Sequence, residues 1–225
     1  MRLNAYLARA GVASRRDADK LIKAGRISVN GKLGQLNDGV SETDDIRVNG
    51  RRISGQKLRY ILLNKPAGYI TTLKDPEGRV KITDLVNIPE RVVPVGRLDF
   101  NTTGVILLTN DGELAHKLMH PSFNFDKTYE AEVQGTVTDK ILNMLSNGVS
   151  LSDGLTAPGK ARRQGPNMIE ITVHEGRKHQ VKRMLASVGL QVIKLHRSQY
   201  GPLSLGELKP GEWRDLNGEE LLKLK

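Results

Sequence analysis

The chain has 225 residues, 38% of them hydrophobic and 27% charged, enough for one large domain or a small domain beside a medium one. It contains no cysteine, which excludes disulfides, thiolate metal sites and a cysteine nucleophile; no apolar run reaches the roughly 18 residues of a membrane span, and MRLNAYLARAGVASRR lacks the apolar stretch of a signal peptide. The net charge is +10, and residues 1–60 hold 13 Lys and Arg against 6 Asp and Glu, so a cytoplasmic protein with a polyanionic partner and no membrane is expected.

Ser14-Arg15-Arg16-Asp17 is a capping-box pattern and predicts a helix that starts at Ser14 and stops at Gly25. Ala18, Leu21 and Ile22 turn toward a core, whereas Arg16, Lys20 and Lys23 share the other face. Two alternating segments follow, Ile27-Ser28-Val29-Asn30-Gly31 and Ile46-Arg47-Val48-Asn49-Gly50, each ending in the Asn-Gly of a hairpin. Residues 1–57 therefore read as a small module of two short helices and small strands with a cationic helix face, its last stretch, 51–57, a polar linker.

From 58 to 225 strands and helices mix. Strands are predicted at 60–63, 104–109, 128–134, 168–174 and 191–197, and helices at 112–119, 138–147 and 177–188. The last helix is the clearest, with Val181, Met184, Leu185 and Val188 in one stripe and Gly189 to end it. Tyr129, Ala131 and Val133, like Ile169, Ile171 and Val173, alternate as half-buried strands do. The fold class is α+β, a mainly antiparallel mixed sheet carrying helices, preceded by the small module.

Several familiar machines are missing. No G-x-G-x-x-G or Walker A loop is present, and no G-x-S-x-G elbow. His116 and His120 have the i, i+4 spacing of a metal pair, but without the glutamate of H-E-x-x-H they read as a surface pair. No metal, nucleotide or redox cofactor is therefore expected. What remains is V-G-R-L-D-F-N-T-T-G-V-I-L-L-T-N-D-G-E at 95–113, where Asp99 sits on a polar loop leading into an apolar strand. From spacing alone Asp99 is equally a turn-capping aspartate or a reactive carboxylate held on a rigid support. The second reading gains from two further islands, Lys127-Thr128-Tyr129 and Glu175 to Arg183. On the helix that the second island enters, Lys178 and Lys182 share a face and offer the carboxylate a cationic partner.

RLNAYLARAGVASRRDADKLIKAGRISVNGK resembles the RNA-binding module named after ribosomal small-subunit protein four, over roughly residues 2–49. The resemblance implies that Arg15, Arg16, Lys20, Lys23 and Arg26 meet phosphates. G-R-L-D-F-N-T-T-G-V-I-L-L-T-N-D-G at 96–112 resembles the catalytic motif of pseudouridine synthases. With Leu63-Asn64-Lys65-Pro66-Ala67-Gly68, Lys127-Thr128-Tyr129, E-G-R-K-H-Q-V-K-R-M and G-P-L-S-L-G-E-L-K-P-G-E-W-R, nearly the whole chain resembles the bacterial RsuA/RluB-type ribosomal RNA pseudouridine synthases. That family implies a module at 1–57, a catalytic domain at 58–225 and a monomer acting on ribosomal RNA or a ribosome assembly intermediate. Asp99 is implied to be the essential carboxylate. Tyr129 is implied to stack on the target base and assist proton transfer, and Lys182 to pair with Asp99. Val181 lines the pocket, and Arg97 and Thr103 lie near the target nucleotide.

The chemistry suits those residue types. Turning uridine into pseudouridine breaks the N1–C1′ bond, rotates the uracil and rejoins it through C5. A positioned carboxylate stabilises or attacks the charge that develops at the sugar, and an aromatic holds a base flipped from its stack. Attack on the sugar, attack on the base and removal of a sugar proton are all open to a single carboxylate. Two rival classes stand beside this reading. A non-catalytic RNA-binding or assembly protein fits poorly, because Asp99, Tyr129 and Lys182 are all present. A glycoside-processing enzyme would need a second carboxylate motif. Thr71 to Arg79 and R-V-V-P-V-G-R-L-D resemble members acting on large-subunit RNA, while H-Q-V-K-R-M resembles members acting on the small subunit or on the adjacent large-subunit site; the large subunit is favoured.

Overall fold

The computed structural model describes residues 1–120, 123 and 125–224, which divide into two compact units. The first comprises Met1–Arg59, Ile88–Val92 and Asn110–Gly112. Its helices are α1 (Leu3–Arg9) and α2 (Arg15–Lys23). Ser14 caps α2, its hydroxyl accepting from the Asp17 amide at 3.2 Å and donating to the Asp17 carboxylate at 2.8 Å, which satisfies one of the orphan amides of the first turn. Strands β1 (Ile27–Val29), β2 (Lys32–Leu33), β3 (Ile46–Val48) and β4 (Arg51–Arg52) form an antiparallel sheet in the order β2-β1-β3-β4. Both hairpins turn at Asn-Gly pairs with positive φ at each residue, Asn30-Gly31 and Asn49-Gly50, as the spacing predicts. Leu3, Leu7, Ala18, Ile22, Ile27 and Ile46 close the core. The polar linker expected at 51–57 is not one at its start. Arg51 and Arg52 pair as β4 and Ile53 packs on this core, its amide bonding the Ile46 carbonyl at 2.9 Å.

The second unit comprises Tyr60–Asn87, Val93–Thr109 and Glu113–Lys225. In chain order it contains β5 (Tyr60–Lys65), β6 (Val93–Val95), β7 (Thr102–Thr109), α3 (Gly112–Met119), β8 (Lys127–Gln134) and α4 (Asp139–Asn147). The hairpin β9 (Ser150–Leu151) and β10 (Gly154–Leu155) follows, then β11 (Lys160–Gly165), β12 (Met168–Val173), α5 (Gln180–Ser187) and β13 (Gln191–Tyr200). The chain ends in β14 (Leu203–Ser204), β15 (Trp213–Asp215) and α6 (Gly218–Leu224). One large sheet runs β11-β12-β8-β13-β7-β5-β15, with β14 on β13 and β6 on β7. Every pairing is antiparallel except β13 with β7, so the α+β, mainly antiparallel expectation holds. Among the described residues no helix is long and apolar enough to cross a membrane.

Two apolar clusters hold this unit. Ala131, Val133, Ile169, Ile171 and Leu195 of the sheet pack against Leu145 of α4 and Val181, Met184 and Leu185 of α5. Leu62, Val105, Leu107 and Tyr200 pack against Leu114 and Leu118 of α3. Val105 to Leu108 are all fully buried. At about 1.5–3 kcal/mol for each such side chain, β7 is a support that thermal motion does not displace. Gly104 is required where β7 meets β13: its φ is +109°, and a Cβ there would lie 2.7 Å from the Arg197 amide nitrogen and still nearer its carbonyl oxygen. Helix α5 begins three residues later than predicted, at Gln180, because residues 175–179 form a knitted loop. Lys178 therefore precedes the helix and does not share a face with Lys182.

Candidate active site

Asp99 lies on the loop between β6 and β7, and several backbone groups around it are engaged. Its carbonyl accepts from Thr102 at 3.1 Å. The Leu98 carbonyl accepts from the Thr71 hydroxyl at 2.9 Å, and the Leu98 amide donates back to that hydroxyl at 3.3 Å. From beneath, Lys65 donates to the carbonyls of Pro66 (3.0 Å), Phe100 (3.1 Å) and Thr102 (2.8 Å). Three donors meet three acceptors, which is the full capacity of an ammonium. Lys65 is completely buried, and burial pulls its pKa down from 10.5 to about 8, with Asp99 raising it and Lys182 lowering it further.

The carboxylate itself meets two side chains from α5 and the residue just before it, the ammonium of Lys182 and the imidazole of His179. Lys182 Nζ stands 3.1 Å from Oδ2, and His179 Nε2 stands 3.3 Å from Oδ1. With Asp99 30% and Lys182 34% exposed, the ion pair contributes about 0.2–1 kcal/mol to stability. Its value is in aiming the carboxylate. His179 reaches Asp99 from a left-handed backbone conformation, φ +52°, where non-glycine residues are uncommon. The loop before α5 holds it there. The Arg177 amide donates to Gln180 Oε1 at 3.0 Å, and Gln180 donates to Glu175 at 2.9 Å. Glu175 also accepts from the Ala157 amide and from Arg177, both at 2.9 Å.

Arg97, Asp99, Thr102, Tyr129, Val181 and Lys182 line one open cleft, with Leu98, Val173 and Leu195 among its apolar walls. Of the residues singled out from sequence, Asp99, Tyr129, Lys182, Arg97 and Val181 come together here. Tyr129 is half-buried and faces the cleft from β8; Val181 is both wall and core. Thr103 is placed differently. Its hydroxyl shares a 2.8 Å hydrogen bond with His196 Nδ1, and its neighbour Thr102 lines the cleft. Arg15, Arg16, Lys20, Lys23 and Arg26 belong to the first unit, where all five are exposed; Lys20 pairs with Asp17 at 3.1 Å and Arg26 donates to Asn49 at 2.9 Å. Sequence reasoning gave no role to Lys65 or His179. Both lie inside stretches it had marked as unusual, so the signal was present but carried no geometry.

A loop-borne carboxylate, facing cations and an aromatic in one cleft, on a chain with a separate cationic module, defines an enzyme that works on RNA. The family comparisons agree: residues 1–46 match the S4 domain and residues 59–187 match RNA pseudouridylate synthase. The chain belongs to the RNA pseudouridylate synthase family, among its RsuA/RluB-type members, and is an isomerase acting on RNA. It is 48% identical over 232 residues to an uncharacterized RNA pseudouridine synthase of Aquifex aeolicus (strain VF5), covering 100% of this chain and 93% of that protein. It is 45% identical over 232 residues to ribosomal large subunit pseudouridine synthase B of Bacillus subtilis (strain 168), covering 100% and 95%. Dual-specificity RNA pseudouridine synthase RluF of Escherichia coli (strain K12) is 37% identical over 227 residues, covering 100% and 78%. Among solved structures, a pseudouridylate synthase crystal structure superimposes with a TM-score of 0.74 at 30% identity, covering 100% of both chains.

Proposed function

We propose that the chain isomerises a particular uridine of ribosomal RNA to pseudouridine, with large-subunit RNA as the favoured substrate and Asp99 as the essential carboxylate. The observation that supports this most is the carboxylate of Asp99, held by Lys182 and His179 in the cleft that Tyr129 also lines. In this reading Tyr129 stacks on the flipped uracil, Val181 supplies an apolar wall, and Arg97 lies near the target nucleotide. Lys182 balances charge on Asp99 while the N1–C1′ bond opens and the C1′–C5 bond forms. C5 gives up its proton to solvent and N1 takes one up in its place, so every atom of the uridine is kept in the product. The similar protein from Bacillus subtilis, named for the large subunit, supports the choice of RNA. Residues 1–57 anchor the RNA through Arg15, Arg16, Lys20, Lys23 and Arg26, and residues 58–225 carry out the reaction, in a cytoplasmic monomer.

The test is release of tritium from 5-tritiated uridine in transcribed large-subunit and small-subunit ribosomal RNA. Wild type is expected to release label from the large-subunit transcript, and Asp99→Asn none above background while keeping the same thermal unfolding midpoint. Release from the small-subunit transcript alone would overturn the substrate. Equal release by both proteins would overturn the role of Asp99.

A further inference from the structure

The loop that carries Asp99 also presents Phe100, a large apolar ring 47% exposed. Isolated exposed hydrophobic side chains are ordinary, but three observations set this one apart. The first is placement: Phe100 follows Asp99 directly, yet Arg97, Leu98, Asp99 and Thr102 line the cleft and Phe100 does not. Its ring is thus exposed next in sequence to the carboxylate without lining the cleft. The second is rigidity. The Phe100 carbonyl accepts two hydrogen bonds, from the buried Lys65 ammonium at 3.1 Å and from the Gly68 amide at 3.0 Å, so the ring is held out on a fixed stem. The third is its companion. Arg97, two residues before Asp99, is also exposed, and has no hydrogen-bond or ion-pair partner among the described residues. The loop that carries the carboxylate thus presents an exposed aromatic and an exposed guanidinium, the pair of side chains that stacks on bases and meets phosphates.

We propose that Phe100 is a stacking platform for the nucleobase adjacent to the target uridine, holding the RNA strand open at the mouth of the cleft. This rests on the reading of the chain as an RNA-modifying enzyme with Asp99 at its centre. A base flipped into the cleft leaves its neighbour unstacked on one face, and that face costs free energy in water. Aromatic rings offered at a fixed height take such a face regardless of base identity. The ligand is thus a base of single-stranded or locally opened RNA. Phe100 contributes binding and strand opening, while Tyr129 contacts the reacting uracil.

Two experiments test it. In the first, kinetics of tritium release from transcribed large-subunit ribosomal RNA are measured for Phe100→Ala, Phe100→Leu and Phe100→Tyr. Loss of one base–aromatic stack predicts about a tenfold fall in kcat/KM for Phe100→Ala, carried mainly by KM. Phe100→Leu should fall as far, and Phe100→Tyr should stay within about twofold of wild type. Full activity in Phe100→Ala, or rescue by leucine as good as by tyrosine, overturns the stack. The second experiment does not need turnover. The chain has one tryptophan, so Phe100→Trp combined with Trp213→Phe and Asp99→Asn reports fluorescence from position 100 alone. Saturation with the same RNA should quench that emission, and an unchanged spectrum overturns the proposal. If wild type releases no tritium from any ribosomal RNA while position 100 is still quenched, the reaction assignment fails and the stacking surface stands.

Discussion

Lys65 is the residue on which opposing costs meet most directly. Holding its ammonium in a fully buried site costs about 3 kcal/mol, judged from the drop in pKa from 10.5 to about 8. Removing it would strand the Pro66 and Thr102 carbonyls, at about 1–3 kcal/mol each, while the Phe100 carbonyl keeps the Gly68 amide. The two sides nearly cancel. Lys65→Met is therefore expected to leave the urea unfolding midpoint almost unchanged while loosening the Asp99 loop and lowering kcat tenfold or more. A collapsed midpoint with normal kcat would contradict this. The pH dependence carries a further signature. Below pH 8 folded and unfolded chains both keep the proton, so the burial cost is borne in full. Between about 8 and 10.5 the unfolded chain holds the extra proton, and the stability contributed at this site rises with pH. A neutral amine has only two hydrogens for three carbonyls, so activity should decline over the range in which this contribution grows. Unfolding curves and kcat measured from pH 7 to 10, wild type against Lys65→Met, would show it. Lys182→Met makes a complementary case: with both partners about one-third exposed, stability should change by under about 1 kcal/mol, but kcat should drop sharply.

At the scale of elements, the contact of β7 with β13 is the tightest constraint near the site. Gly104→Ala would drive a methyl into the Arg197 backbone and force a positive φ on alanine, so a loss above about 3 kcal/mol is expected. Gly68→Ala, also at positive φ (+83°) but with nothing within 4 Å, should lose only about 1 kcal/mol. Comparing the two melting curves checks the account, which fails if Gly68→Ala is the more damaging. Elements with local signals were legible in the sequence: the Ser14 cap, the two Asn-Gly hairpins, and the apolar stripe of α5. Others were not. β11 (KARRQG) is a polar edge strand with no alternation to read, though its charges suit an edge that must not pair with other chains. The start of α5 depended on hydrogen bonds from Glu175 and Gln180 that no periodicity encodes. Similarly, whether Thr102 or Thr103 faces the cleft is a one-residue question of strand face, and spacing alone does not answer it. Lys65 reads as an ordinary strand lysine because two of its three acceptors lie 35 and 37 residues away.

For the whole molecule, charge distribution makes the most accessible prediction. Arg15, Arg16, Lys20, Lys23 and Arg26 are exposed on the first unit, and the charge of residues 1–60 exceeds that of the rest. Reversing Arg15, Arg16, Lys20 and Lys23 to Glu should weaken binding to ribosomal RNA more than tenfold at low salt. It should also flatten the plot of log affinity against log salt by about 3–4, at roughly 0.7–0.9 for each of four phosphate contacts. Unchanged affinity would show that RNA is anchored elsewhere. The class of partner was thus legible from composition and clustering, and the reaction only from the 96–112 motif with its distant supporting stretches. Lys182 was legible as the partner of Asp99 from the resemblance, whereas the contact of His179 with the same carboxylate required the fold.

The order of strands has a consequence for when the enzyme comes into being. β13 lies between β8, which carries Tyr129, and β7, which follows Asp99. It is also the last long strand in the chain. A nascent polypeptide that has reached Leu190 already contains Asp99, Tyr129, His179 and Lys182, yet the strand that pairs with both β7 and β8 is still missing. Chain synthesis at about 5–20 residues per second therefore ends with a short interval in which all the chemistry is written but none of it is assembled. The two halves of the large sheet are joined through that one strand, so the arrangement around Asp99 is complete only once it has been made and inserted.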